Sequence, residues 1–389
     1  MRTPRPILLI VAVGLWAALG YHASRAAPAG ETLPVLGQEG GAIVLTLPQG
    51  PTDIALATDR PVAVVKVVGF NASTQIPERR VMMVDLQTPK IVWQHAFPTA
   101  SCCAFPVVSL GATGSLVALG GAPETTLFGA SGERLQVLAL PDPGLHVAAL
   151  LSDDGRLAVI EQWPSLIAGF ARGREKPLWT VRVNDTVLSL AMSRKGGVLA
   201  AATPEAVHLL QAADGKRLAR LPYGPSQMMA TVAISGDGGH IALGWKRPDG
   251  RALVAFFLRG RPKPVWEQIV GEGLPLVQMD DRAQWVAVGD AHGAEGALLS
   301  SQGRVLWQTR SKREPIATGL APDGRLAAVA VGSALEVRDL AKGGTVWQGT
   351  VEGGVQLVRL AGSWLAALGT GREGGRGTRL WFFRLPTRG

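Results

Sequence analysis

Cys102 and Cys103 are the only cysteines in the chain, and they are adjacent. Side by side they cannot tie together distant parts of a fold, so this is no disulfide scaffold. In an oxidising compartment the bond open to them is a vicinal disulfide. The plainer reading is two small residues entering a packed strand, one facing in and one facing out. The six histidines, at positions 22, 95, 146, 208, 240 and 292, are scattered without metal-ligand spacing, and no CxxC occurs. A GxSxG elbow, an HExxH pair and a Walker loop are likewise missing from the sequence. Gly369–Gly377 (GTGREGGRG) is glycine-rich but lies between two strand patterns with no helix behind it, so it reads as a hairpin rather than a phosphate cradle. The chemistry left is recognition. Asn71, Trp163, Trp245 and Arg247 fall in long connections, where binding residues concentrate, and tryptophan and arginine are enriched at interaction hot spots.

The elements that must position these residues are short strands. Gly319 to Gly349 (GLAPDGRLAAVAVGSALEVRDLAKGGTVWQG) predicts three of them, with turns at Asp323-Gly324 and Lys342-Gly343-Gly344. A unit of this kind cannot bury both faces alone, and it recurs. A turn followed by a small apolar strand stands at Asp59, Gly114, Asp154, Gly196, Asp237, Asp281, Asp323 and Gly362, eight times in all. A closing strand marked by Trp93, Trp179, Trp266, Trp307 or Trp347, or by the degenerate copies at Leu135 and Leu218, stands seven times. The eighth closing strand is at the other end of the chain: Gly41 to Pro48 (GAIVLTLP) has the shape of GGTVWQG, with Val44 in the tryptophan position. An N-terminal strand that completes a C-terminal blade closes a circular array and removes its sheet edges. The expectation is an all-β chain forming one β-propeller of eight four-stranded blades. Seven blades is the alternative if the Gly114 module is incomplete.

The segments RVMMVDLQTPKIVWQ (80–94) and LSSQGRVLWQT (299–309) resemble quinoprotein-type (PQQ-like, WD40-like) propeller repeats, in which a strand, a Gly turn and a Trp-bearing strand follow one another. The resemblance spans residues 41–386. It implies a fold shared by dehydrogenases and outer-membrane assembly scaffolds alike, so fold alone does not name a function. The tryptophans read as inter-blade packing. Quinoprotein alcohol dehydrogenases carry a vicinal disulfide near their cofactor, so the resemblance implies an alternative: a PQQ-dependent alcohol or sugar dehydrogenase with PQQ and calcium, Cys102-Cys103 beside the site. Those enzymes are generally much longer, and Ala104-Phe105-Pro106-Val107 after the pair offers no acid, amide or arginine. No calcium-ligating carboxylate or catalytic base stands out by motif.

Charge and the N-terminus suggest where such a protein works. The chain of 389 residues carries a formal charge of +9. Beyond residue 26 there are 36 basic and 30 acidic residues, a scattered excess that excludes a nucleic-acid groove. Arg2 and Arg5 precede an uncharged apolar run, Ile7–Tyr21, and Ser24-Arg25-Ala26 presents a cleavage site. Residues 1–26 therefore read as a signal peptide or signal anchor, 27–41 as a linker and 42–386 as the propeller, outside the cytoplasm. With strands lettered a to d from the axis outward, the c–d turns are basic: Arg172, Arg174, Lys176, Lys216, Arg217, Arg259, Arg261, Lys263, Arg304 and Lys342. Ile43–Leu47 is a d-strand, so the chain is expected to enter from that basic face, turning it toward an anionic membrane surface. The whole reading is a monomeric, non-enzymatic scaffold in the cell envelope with a protein partner at the opposite, loop-rich face.

Overall fold

The computed structural model describes residues 34–47, 51–70, 77–98, 108–120, 124–142, 144–224, 226, 230–290, 294–369 and 378–386. Within them, eight antiparallel sheets follow one another along the chain, seven of four strands and one of five. The Gly114 module is a complete blade, Val108–Leu110, Leu116–Leu119, Thr125–Gly129 and Arg134–Leu138, so the count is eight rather than seven.

Position in the blade sets composition. The b-strands are covered by neighbouring blades on both sides and read as continuous apolar runs; Val198–Ala202 (VLAAA) is buried at every residue. Its alanines are small because the blades converge there. The d-strands face solvent on one side and alternate, as in Val305–Arg310.

Each blade brings a bare a-strand edge to the axis, and unpaired backbone groups there are costly. Side chains from the preceding blade satisfy several of them. Asp53 Oδ2 accepts a hydrogen bond from the Val108 N–H (3.0 Å), Ser109 Oγ from Leu151 (3.1 Å) and Ser189 Oγ from Val232 (3.3 Å). Thr231 Oγ1 donates to the Pro275 carbonyl and accepts from Val277. Gln278 uses both ends of its amide, donating to Thr318 O (3.2 Å) and accepting from Leu320 N (3.0 Å).

The outer half is locked by tryptophan. Trp93, Trp179 and Trp266 each donate from Nε1 to a carbonyl in the c–d turn of the next blade, at Ala130 (3.1 Å), Ala212 (2.9 Å) and Ser301 (2.8 Å). The turn must come close to the ring. A Cβ on Gly132 would lie 2.6 Å from Trp93 Cγ, so glycine is required there. In blade 2 the same slot is filled by Gln136, whose amide bonds the Gly173 N–H (2.8 Å) and the Arg174 carbonyl (2.5 Å) in blade 3.

Blade 8 is closed as expected. Ala42–Leu47 pairs antiparallel with the C-terminal strand Thr378–Arg384, from Ile43↔Phe382 to Leu47↔Thr378. One feature differs from the sequence reading. Val35–Glu39, assigned to the linker, is a fifth strand on the outside of this blade, paired from Val35↔Thr46 to Glu39↔Ala42. The Gly40-Gly41 hairpin, with φ of 56° and 83°, makes that reversal possible. The consequence is a change of face. Thr46 lies at the loop-rich end of its strand, so Val35 does too, and the chain reaches the propeller from the loop-rich side rather than the basic side. Residues 1–33, with the expected signal segment, lie outside the described residues.

Ile43, Val44, Leu45 and Leu47 are buried, and burying side chains of this size contributes about 1.5–3 kcal/mol each. Their sum is comparable with the roughly 5–15 kcal/mol that holds a domain together. Deleting residues 1–48 should therefore leave a chain that does not fold to a soluble monomer. Deleting 1–40 removes only the outer strand and should preserve the fold with a modestly lower Tm. Circular dichroism melts and gel filtration of the two deletions check this.

Candidate functional site

Outer turns and bulges build one rim of the molecule. In blades 1, 2, 4, 6 and 7 the c–d pairing shifts register just before the packing position of the d-strand. A bulge sets two residues against one and turns the extra side chain aside. The residues ahead of the packing position, Val92, Leu135, Leu178, Leu218, Val265 and Leu306, are 37 to 50% exposed, one on each of six blades. Beside them stand the c–d turns. From blade 1 to blade 7 these turns hold nine basic residues, Arg172, Arg174, Lys176, Lys216, Arg259, Arg261, Lys263, Arg304 and Lys342, against Glu133, Glu175 and Asp214. That surplus of six equals the entire basic excess of residues 27–389. All nine are exposed, and among the described residues none has an acid within ion-pair distance. Several arginines of the opposite face are paired: Arg247 with Asp249 (3.5 Å), Arg379 with Glu352 (3.0 Å), and Arg310 with Glu295.

The four recognition residues do not assemble into one site. Trp163 is 43% exposed in the b–c connection of blade 3, where the Trp163–Pro164 peptide is cis. Arg247 is exposed at the corresponding turn of blade 5, held near Asp249. Trp245 corrects the sequence reading. It is 2% exposed, because the strand His240–Lys246 runs two residues into the segment read as a connection and the indole packs on Tyr223 at 5.2 Å. It is core and cannot serve as a contact residue. Asn71 and Cys102-Cys103 lie outside the described residues.

The axis is closed at the a–b end. Arg194, from the a–b turn of blade 4, donates from Nε to Asp153 (2.6 Å), from Nη1 to Asp281 (2.9 Å) and from Nη2 to Thr58 Oγ1 (2.8 Å). One guanidinium thus joins blades 3, 4, 6 and 1. Burial works against its charge, but Asp153 and Asp281 more than offset this and its pKa ends raised. Asp281 is pushed up by burial despite Arg194. Arg359 and Asp53 line the wall from blades 8 and 1. Arg359 keeps part of its surface open, yet the surrounding protein depresses its pKa, partly opposed by Asp53.

Among the described residues no group of three or more His, Cys, Asp or Glu could hold a metal. The buried titratable groups stand apart from one another. His146, in blade 3, meets Thr125 Oγ1 of blade 2 through Nδ1 (3.0 Å), and burial lowers its pKa to about 4. Glu161 is on the other side of the same blade: its strand neighbours Ile160 and Val159 pack toward blades 2 and 4 respectively, and alternation puts Glu161 with Val159. Among the described residues its Oε1 has no hydrogen-bond partner, and burial raises its pKa to about 8. Sequence reasoning missed both; a lone Glu at the end of LAVIEQ was the available signal.

Fold and rim together define a β-propeller with one closed axis and a cationic outer rim. Among solved structures the chain is similar to BamB from Moraxella catarrhalis, with a TM-score of 0.59 and 13% identity over 90% of this chain and 100% of that one. It is also similar to the β-propeller domain of Cps50 (Swd1) from Myceliophteria thermophila, with a TM-score of 0.52 and 12% identity over 72% of this chain and 96% of that one. At these identities the likeness is one of fold. No protein-family model matches the chain, and no curated protein matches it.

The two buried groups give stability a defined pH dependence. Between pH about 4 and the ordinary 6.5 the unfolded chain binds a proton at His146 that the native state does not, so stability rises with pH. Between the ordinary 4.5 and about 8 native Glu161 holds a proton that the unfolded chain has released, so stability falls. The slopes oppose one another in the overlap, and decline dominates above it. Urea melts across pH should show Glu161→Gln more stable than wild type at the alkaline end, with a flatter profile there. His146→Gln should flatten the acid limb instead.

Proposed function

We propose that this chain is a non-enzymatic, extracytoplasmic interaction scaffold that holds the acidic surface of an envelope protein against its c–d rim. One observation carries the reading: a basic surplus as large as that of residues 27–389 sits on one set of turns, unpaired among the described residues and interleaved with exposed aliphatic side chains, while several arginines of the other face are paired. Complementary charge steers and orients an encounter, and desolvated apolar contacts supply affinity. The strand Val35–Glu39 is consistent with the same orientation, because its first residue lies at the opposite, loop-rich side. The axis is occupied by residues that satisfy blade edges, which favours recognition at the periphery over chemistry in the channel. The extracytoplasmic location rests on the signal-like segment 1–26.

The test is cross-linking of the full chain in its native membranes, with charge reversal on each face. Arg174→Glu, Arg261→Glu and Lys263→Glu combined should weaken capture of the partner by about tenfold or more and flatten its salt dependence. Trp163→Ala with Arg247→Ala should leave capture unchanged. The opposite result would move the contact to the loop-rich face. Rim-dependent binding to anionic vesicles free of protein would make lipid the occupant, and alcohol oxidation on adding PQQ and calcium would overturn the non-enzymatic reading.

A further inference from the structure

Blades 3 and 4 diverge on their outer side around a groove of about 530 Å³. Its floor is His208, from the c-strand Ala206–Gln211 of blade 4. Directly across the ladder from His208 is Arg220, in Arg217–Pro222, and a register shift that turns Leu218 aside brings Arg217 opposite Leu210. His208, Arg217 and Arg220 therefore share the face of blade 4 that looks toward blade 3. The far wall is the connection after blade 3, with Asn184 and Asp185, and Glu205 stands at the loop-rich end.

Packing does not explain the histidine. The neighbours Val207, Leu209 and Leu210 are fully buried aliphatics, and His208, 9% exposed, occupies a position where the pattern calls for another. Among the described residues its ring makes no hydrogen bond, and its nitrogens are not sealed from solvent, so they are open to the groove. The arginines are only partly engaged. Arg217 donates from Nη2 to the Arg182 carbonyl (3.0 Å), and Arg220 lies 3.7 Å from Glu205. The potential at the floor is positive: the imidazole is held below its ordinary pKa by burial, then by Arg220 and Arg217, with Asp185 opposing them weakly. The b-strand behind the ring contributes only Ala201.

We propose that the groove between blades 3 and 4 binds a single oxyanion, a carboxylate or a phosphate group, held by Arg217 and Arg220 over His208. Two guanidinium groups on one face of the groove suit an oxyanion better than any other ligand group. Asp185 and Glu205 repel a second negative charge and limit the site to one such group. A bound anion offsets the two guanidinium charges, so the imidazole gains basicity. Binding then takes up a proton and tightens as pH falls. The site is independent of the rim reading, since it needs no protein partner.

The experiment uses the full chain with isotopically labelled histidine, titrated with inorganic phosphate and, separately, with glutarate, against chloride at equal ionic strength. The His208 resonance, assigned by its loss in His208→Gln, should shift saturably, and its pKa should rise by about one unit at saturation. Arg217→Gln and Arg220→Gln should each weaken binding about tenfold or more, whereas Arg304→Gln on the rim should not. Saturation by phosphate alone makes this a phosphate site, and saturation by glutarate alone a carboxylate site. If neither anion moves His208 beyond the chloride control, or if Arg304→Gln weakens binding as much as Arg220→Gln, the proposal is wrong. The wild-type titration decides even if a variant fails to fold.

Discussion

The structure depends on a sheet edge. Eight blades point eight innermost strands at a common axis, and each strand carries backbone groups that its own blade cannot pair. The answer is a side chain from the blade before it: Asp53, Ser109, Ser189, Thr231 and Gln278 at five of the junctions. Arg194 then spans the axis where the a–b turns meet. The polar residues along the axis thus have hydrogen bonds committed to closing the ring.

The same geometry explains the rim. Blades diverge with radius, so side chains near the axis must be small and turns far from it are free to be long and charged. RGREKPL and RGRPKPV occur between outermost strands, where no neighbouring blade covers them. In blades 1, 2, 4 and 6 a bulge before the packing position gives the outermost strand a point at which one side chain is lost to solvent. Charge and aliphatic surface thereby alternate around one edge of the disc.

Much of this was legible in the sequence, and the exceptions have physical causes. Tryptophan followed by a turn glycine about one blade later is a lock that each partner requires of the other, so it repeats visibly. Ile43–Leu47 was legible because a count of strands left one blade incomplete. Val35–Glu39 was not, since VLGQE on an outer edge buries little and so bears no pattern. Gln136 was hidden by its role: an amide can make the hydrogen bonds of the tryptophan slot without its bulk. Trp245 was misplaced because its partner, Tyr223, is distant in sequence. The groove at His208 could not have been read at all, since its walls come from two blades and a register shift aligns them.

The central claim is that the ring is closed by pairing the chain's beginning with its end. Hydrogen exchange read by mass spectrometry tests it on the unaltered protein. If residues 42–47 and 378–384 are one ladder, as their register shows, both segments should exchange only on global unfolding and lose protection together as denaturant is raised. Rapid exchange in 42–47 while 378–384 remains protected would contradict the account.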